Sequence, residues 1–280
     1  MSDSYSPVQR HYGQHHAAQG GLYERILAAL KAMGKDPAQL TPDDLSPVDE
    51  FHTLGKTITQ RMALGLGLTG SERVLDVGSG LGGPSRYLAR TFGCAVTGLD
   101  LTPEFCDVAD KLAALVGMAG RVTYRQGDAL AMPFGAASFD LVWSQNAVMN
   151  IADRARLYRE IHRVLRAGGR YAFSDIMAGP GGPAHFPQPW ASEASLSFLL
   201  TPEATRAALE AAGFRIVAWE DSSAQAQQAA QERIAAADRP PPLGIHLLVA
   251  ADWGTVVRNG LKNYQEQRIK LAGGVAQKGA

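Results

Sequence analysis

The stretch VLDVGSGLGGPSRYLA, Val74 to Ala89, decides the fold. Val74, Leu75 and Val77 suit a buried parallel strand, Gly78, Gly80, Gly82 and Gly83 open a turn, and Pro84 fits the first position of a helix. Strand, glycine turn and helix in that order let the backbone approach a nucleotide-like ligand closely. The sequence therefore points first to a ligand seated at this turn.

Composition bounds what surrounds it. With 280 residues and 46% hydrophobic content, the chain can bury a full core and build one domain with appendages. Lys plus Arg and Asp plus Glu are equal at 27 each, so no overall field recruits a polyanion, and neither nucleic acid nor a membrane surface is the expected partner. Only two cysteines occur, Cys94 and Cys106, without CxxC spacing, which argues against a disulfide framework or a cysteine zinc site and fits a reducing cytoplasm. The N-terminal MSDSYSPVQRHYGQHH lacks the apolar core of a signal peptide, and no apolar run approaches the roughly 20 residues of a membrane span.

Outward from the turn, the pattern alternates between short β-like runs and helical runs. AVTGLD (Ala95 to Asp100) reads as a second strand, 103–117 as a helix, RVTYRQGD (Arg121 to Asp128) as a third strand and SFDLVWS (Ser138 to Ser144) as a fourth. Asp153 caps a predicted helix whose Leu157, Ile161, Val164 and Leu165 share a face and which Gly168 and Gly169 terminate. Arg170 to Ile176 is the fifth strand, and 177–200, rich in Gly and Pro, is a long irregular crossing of the kind that forms lids. Thr201, Pro202 and Glu203 open a helix closed at Gly213, and Phe214 to Glu220 is the sixth strand. An exposed Ala- and Gln-rich helix, a last helix within 251–268 and the strand IKLAGGVAQK complete the chain, the two glycines suggesting an edge or a bulge.

On the N-terminal side, Leu22, Ile26, Leu27, Leu30 and Met33 mark one face of an amphipathic helix ended by Gly34. DPAQLTPDDLSPVDE reads as a connecting segment, and helical character resumes from Phe51 to Leu68. The expected architecture is α/β: a Rossmann-like, seven-stranded, mostly parallel sheet with helices on both faces. Residues 1–70 form an N-terminal helical cap, 71–280 the main domain, and a lid follows strand five.

Gly78, Gly80 and Gly83 satisfy GxGxxG, and Asp100 ends the next strand, where a carboxylate accepts hydrogen bonds from two ribose hydroxyls. That much fits NAD and S-adenosylmethionine alike. Asp76 separates them: a carboxylate two residues before the first glycine would face the pyrophosphate of a dinucleotide, but it favours an ammonium and a sulfonium.

VLDVGSGLGG, VTGLDLT, GDALAMPF, SFDLVWSQNAVMNI and REIHRVLRAGGRYAFSD, in that order, resemble the successive motifs of the class I S-adenosylmethionine-dependent methyltransferases. The resemblance covers roughly Phe51 to Phe214. More narrowly, DEFHTLGKTITQRM, GSGLGGPSRYLA and WSQNAVMNIADR resemble the small-molecule branch that includes the sarcosine and dimethylglycine N-methyltransferases and the phosphoethanolamine methyltransferases. The resemblance implies that Gly78 and Gly80 lie against the methionine part of the cofactor with Asp76 nearby, that Asp100 holds the ribose and that Leu101 touches the adenine. It also implies that Asp128 accepts from the adenine amino group, that Ala129 offers its backbone to the ring, and that Ser144 and Gln145 flank the methionyl end. Thr59 and the segment around His52 match a helix that closes over the cofactor.

The implied chemistry is methyl transfer by in-line displacement at a sulfonium, releasing S-adenosylhomocysteine, and N-methylation of a small metabolite is the first expectation. Methylation of oxygen, sulfur or carbon is the alternative, as is a non-catalytic cofactor-binding or NAD-binding domain. In the related N-methyltransferases a histidine commonly stands where this chain has Asn150, which favours either a substrate that needs no base there or a base supplied elsewhere, such as His52 or His185. Tyr12, Phe186 and Trp190 are candidate acceptor contacts, the two lid aromatics through their π faces. No metal site is expected, since His11 and His15 lie in a polar stretch that reads as solvated. Oligomeric state leaves no mark in the sequence.

Overall fold

The computed structural model describes residues 21–249 and 251–279. Its seven strands are β1 (Arg73–Val77), β2 (Ala95–Asp100), β3 (Val122–Gln126), β4 (Phe139–Gln145), β5 (Leu165–Ala178), β6 (Phe214–Asp221) and β7 (Ile269–Lys278). They form one sheet in the order β3-β2-β1-β4-β5-β7-β6, parallel except that β7 runs antiparallel to both its neighbours. β1 is central, with β2 on one side and β4 on the other, so the glycine turn leaves the sheet at its topological switch point.

Alternation along β1 sends its side chains to two different layers. Leu75 and Val77 join a core with Leu157, Tyr158, Ile161 and Val164 of α6 (Arg154–Val164) and Leu209 of α7 (Pro202–Ala211). Val74 faces the other layer, with Ala63 of α3 (Lys56–Leu64), Leu88 and Ala89 of α4 (Gly83–Phe92) and Ala113 of α5 (Pro103–Leu115). Asp76 shares the parity of Val74 and meets α4, where Ser85 Oγ donates to its Oδ2 at 2.6 Å. A third cluster packs Leu22, Ile26 and Leu30 of α1 (Leu22–Ala32) and Leu45 and Val48 of α2 (Pro42–Asp49) on Phe105, Val108 and Leu112 of α5. A fourth holds the 177–200 segment through Trp190, against Ala226 of α8 (Ser223–Arg233) and Tyr264 of α9 (Trp253–Gln265).

Three expectations need correction. The connecting segment contains α2: Thr41 and Asp44 form a capping box, with Thr41 N donating to Asp44 Oδ2 at 2.8 Å, and Pro42 occupies the first turn. Pro47 lies inside this helix because the acceptor it leaves without a backbone donor, Asp43 O, takes Ser46 Oγ instead at 2.9 Å. Secondly, α6 ends at Val164, and Gly168 and Gly169 belong to the start of β5, where Leu165 pairs with Phe139, Arg170 pairs with Leu141, and the residues between bulge. Thirdly, β7 is an interior strand. A Cβ on Gly273 would run into Phe173 O, and one on Gly274 into Ala218 O, so the glycines permit close pairing on both sides.

Candidate active site

Gly78 and Gly80 have φ of +72° and +52°, where a side chain is strained. Gly78 N donates to Leu99 O at 2.8 Å, and Gly80 N donates to Asp100 Oδ2 at 2.9 Å, which draws the turn onto the end of β2. Thr102 N holds the other carboxylate oxygen at 2.9 Å, fixing Asp100 although burial raises its pKa. The turn, β2, the Gly127–Leu130 loop and the Gln145–Asp153 segment surround a cavity of about 410 Å³. A Cβ on Gly80 would meet no protein atom within 4 Å, so the turn leaves open space there.

Asp76 lines this cavity and is 2% exposed. Burial pushes its pKa up to about 7, against the hydrogen bond from Ser85. Among the described residues no lysine or arginine pairs with it. A carboxylate in that position suits a ligand that brings positive charge.

The opposite wall comes from the short segment between α2 and α3. Arg86 Nη2 donates to Asp49 Oδ2 at 2.5 Å and to Leu81 O at 2.8 Å, and Nη1 to Tyr124 Oη at 3.2 Å; this buried cation therefore pins the end of α2 to α4 and β3. Burial still lifts Asp49 to about 6, with Arg86 opposing. Directly after this anchor come Glu50 and His52, both buried, with His52 Nε2 donating to Glu50 Oε2 at 2.8 Å. A carboxylate at Nε2 selects the tautomer protonated there, which leaves Nδ1 with a lone pair. Among the described residues Nδ1 has no hydrogen-bond partner. Thr59 Oγ1 donates to Glu50 Oε2 at 2.7 Å, locking the carboxylate from behind.

The structure gathers His52, Asp76, Gly78, Gly80, Asp100, Leu101, Asp128, Ala129, Gln145 and Asn150 around the one cavity. Asp128 Oδ1 also caps its own loop by accepting from Leu130 N at 2.8 Å. Gln145 Oε1 accepts from Trp143 Nε1 at 2.9 Å, leaving Nε2 buried without a partner. Asn150 Nδ2 donates to Trp190 O at 2.7 Å and to Leu196 O at 2.8 Å, so it ties the cavity rim to the 177–200 segment. Thr59 stands behind the wall and Ser144 Oγ bonds Tyr171 Oη at 2.8 Å; neither lines the cavity. Trp190 lines an adjoining cavity of about 50 Å³ that shares Phe51, His52 and Asn146 with the large one. Phe186 packs into the fourth cluster, His185 pairs with Glu266 at 2.8 Å away from both cavities, and Tyr12 lies outside the described residues. Sequence reasoning missed Glu50 and Asn146. Glu50 precedes His52 by two residues, but nothing local says that the two side chains meet, while Asn146 adopts φ +47°, a left-handed conformation asparagine tolerates, just after β4.

A family model described as a methyltransferase domain matches residues 75–173, which run from β1 into β5 and include the glycine turn, Asp100, Asp128 and Asn150. Residues 75–173 are thus similar to methyltransferase domains, and the match falls on the central strands of the sheet. The sequence is 33% identical over 160 residues to methyltransferase GfsG of Streptomyces halstedii, covering 56% of this chain and 57% of the relative. It is 32% identical over 183 residues to a sarcosine/dimethylglycine N-methyltransferase of Halorhodospira halochloris, covering 65% of each. The chain thus spans about three-fifths of these curated relatives. Among solved structures, the [4+2]-cyclase SpnF matches with a TM-score of 0.66 and 25% identity over 92% of this chain and 94% of that one.

The cavity fits S-adenosylmethionine on three observations. Among the described residues Asp76 offers a buried carboxylate bonded to Ser85 but to no lysine or arginine, Gln145 Nε2 is an unused donor, and the Asp100 carboxylate lies at the end of β2 beside the open space of the turn. Among the described residues no helix is long and apolar enough to cross a membrane.

Proposed function

We propose that this protein transfers the methyl group of S-adenosylmethionine to the nitrogen of a small metabolite, in the cytoplasm and without a nucleic-acid partner. Asp76 carries the reading: a buried carboxylate on the cavity wall, paired with no lysine or arginine among the described residues, suits the ammonium and sulfonium of that cofactor and opposes the pyrophosphate of NAD. The name of the Halorhodospira relative supports nitrogen as acceptor atom. We assign 1–70 to a helical cap and 71–280 to the catalytic domain.

When bound, the cofactor supplies an electrophilic methyl group on a sulfonium. The chain's part is positioning, worth about 7–11 kcal/mol in well-oriented reactions, together with proton removal. Asp76, Gly78, Gly80 and Asp100 hold the donor, and Asp128, Leu101 and Ala129 its adenine side. His52 stands where the large cavity meets the adjoining one, with Nδ1 free to accept a proton from the acceptor nitrogen while Glu50 stabilises the imidazolium. The C–N bond forms as the C–S bond breaks, and the bonding pair stays on sulfur. The same buried histidine–carboxylate pair favours a second reading, a hydroxyl acceptor, because an alcohol needs a base more than a free amine does. Calorimetry with S-adenosylhomocysteine and with NAD tests the assignment. Binding of the first alone is expected; binding of NAD alone overturns it.

A further inference from the structure

The segment that follows β4 carries Asn146 and Asn150 to the cavity wall and lies against the glycine turn: a Cβ on Gly78 would stand 2.4 Å from the Cβ of Ala147. It has little regular structure of its own, since Asn146 adopts φ +47° and only a short 3₁₀ turn, Val148–Asn150, follows. What fixes it lies at the end of β5. Gln145 pairs with Ser174, and Asn146 N donates to Ser174 O at 2.9 Å. The ladder stops there, and among the described residues no backbone acceptor takes the amides of Ala147 and Val148. The next residue of β5 meets them with its side chain: the Asp175 carboxylate accepts from both. Asp175 is 2% exposed, and its Oδ1 has no partner among the described residues. Facing it are Arg154 and Tyr158 of α6 and Tyr171 of β5, with Ala272 opposite it on β7. Arg154 attracts it without closing an ion pair, because Nε donates to Ile151 O and Nη2 to Phe198 O, each at 2.9 Å. A buried carboxylate without an ion pair is costly, and the two adjacent amides it serves are what account for it here.

We propose that Asp175 is a positioning residue: by holding the amides of Ala147 and Val148 it sets the left-handed turn at Asn146 against Gly78, and so shapes the wall on which ligand affinity depends. It does not line the large cavity and acts only through the segment it grips. A left-handed asparagine persists where its surroundings over-determine it, and Ser174 O on one side and the Asp175 carboxylate on the other supply that constraint. A protonated carboxyl accepts from an amide more weakly than a carboxylate does, so the grip depends on the charge. The part of this inference that concerns ligand affinity rests on the methyltransferase reading, and the test keeps the two apart.

The ligand-free wild type, labelled with ¹³C at its aspartates and ¹⁵N along its backbone, is titrated by NMR. The Asp175 carboxyl carbon and the amides of Ala147 and Val148 are expected to move together, near pH 6. The movement of both amides is expected to vanish in Asp175→Asn and to persist in Asp76→Asn, which removes the other buried acid near Gly78. S-adenosylhomocysteine is then titrated by calorimetry at pH 8, where Asp76 and Asp175 are both ionised. Asp175→Asn, which keeps the shape and one acceptor oxygen, is expected to bind about tenfold more weakly than wild type, and Asp175→Leu, which keeps no acceptor, more weakly still. Amides that do not follow the Asp175 carboxyl, or equal affinity in wild type and folded Asp175→Asn, overturn the assignment. Should a variant fail to fold, the amide titration of the wild type decides alone. Failure of S-adenosylhomocysteine to bind the wild type overturns the methyltransferase reading instead, and the amide titration, which needs no ligand, still decides whether Asp175 holds the segment.

Discussion

Replacing Asp76 by Asn tests the electrostatic logic of the cofactor cavity. The side chain keeps its shape and loses its charge. In the ligand-free protein the carboxyl titrates near 7 rather than at its ordinary 3.8 because it is buried, so burial works against its ionised form. The gap of about 3 pH units between those values corresponds to about 4 kcal/mol. The sign follows from which state holds the proton: between pH 4 and 7 the folded chain keeps a proton that the unfolded chain has released. This group's contribution to stability therefore falls as pH rises through that window and is level above about 7. Asp76→Asn should be more stable than wild type by up to about 4 kcal/mol at pH 7.5, and that advantage should shrink progressively towards pH 4. Urea unfolding of both proteins at several pH values measures it, and taking the difference removes the buried Asp49, Asp100 and Asp175, which both proteins share. Affinity should run the other way. Wild-type binding of S-adenosylhomocysteine should release about one proton below pH 7 and strengthen as pH rises, while the variant binds weakly with no such release. A stability difference that does not change with pH, or equal proton release by the two proteins, refutes the argument.

Three further outcomes follow from neighbouring geometry. His52→Ala should lower kcat by about 10²- to 10⁴-fold while leaving S-adenosylhomocysteine affinity within about twofold, and Glu50→Gln should lower kcat in the same direction by less; calorimetry and single-turnover rates separate the two effects. Gly78→Ala should cost about 1–2 kcal/mol for the left-handed backbone alone, with more from the collision of its Cβ with that of Ala147, and should weaken cofactor binding, read by thermal unfolding and calorimetry. Arg86→Met should destabilise by about 3–5 kcal/mol because Asp49 is left as an unpaired buried acid, and adding Asp49→Leu should restore most of the loss in urea unfolding.

The glycine-turn half of the candidate site was legible because its signals are local. A buried strand, positive-φ glycines and a carboxylate at the end of the next strand are each a property of a few consecutive residues, and they fall on β1, its turn and Asp100. What escaped depends on contacts between distant segments. The pairing of β7 between β5 and β6 is a choice of neighbours that its own residues do not announce, so Gly273 and Gly274 suggested an edge or a bulge, and the register shift that does occur lies on β6, between Ile216 and Ala218. The helix α2 was hidden by its two prolines and three aspartates, although TPDD already held the capping box. The cavity beside His52 is likewise assembled by the fold, which brings Trp190 and Arg233 to it from distant segments.

The central claim is that this chain moves a methyl group, and its most direct test is incubation of the protein with methyl-labelled S-adenosylmethionine and a metabolite extract, followed by mass analysis. The account predicts a small product carrying the label on nitrogen, with S-adenosylhomocysteine formed in equal amount and both strongly reduced in His52→Ala. A protein that binds the cofactor and leaves it unconsumed while converting an extract component without taking up label would contradict it.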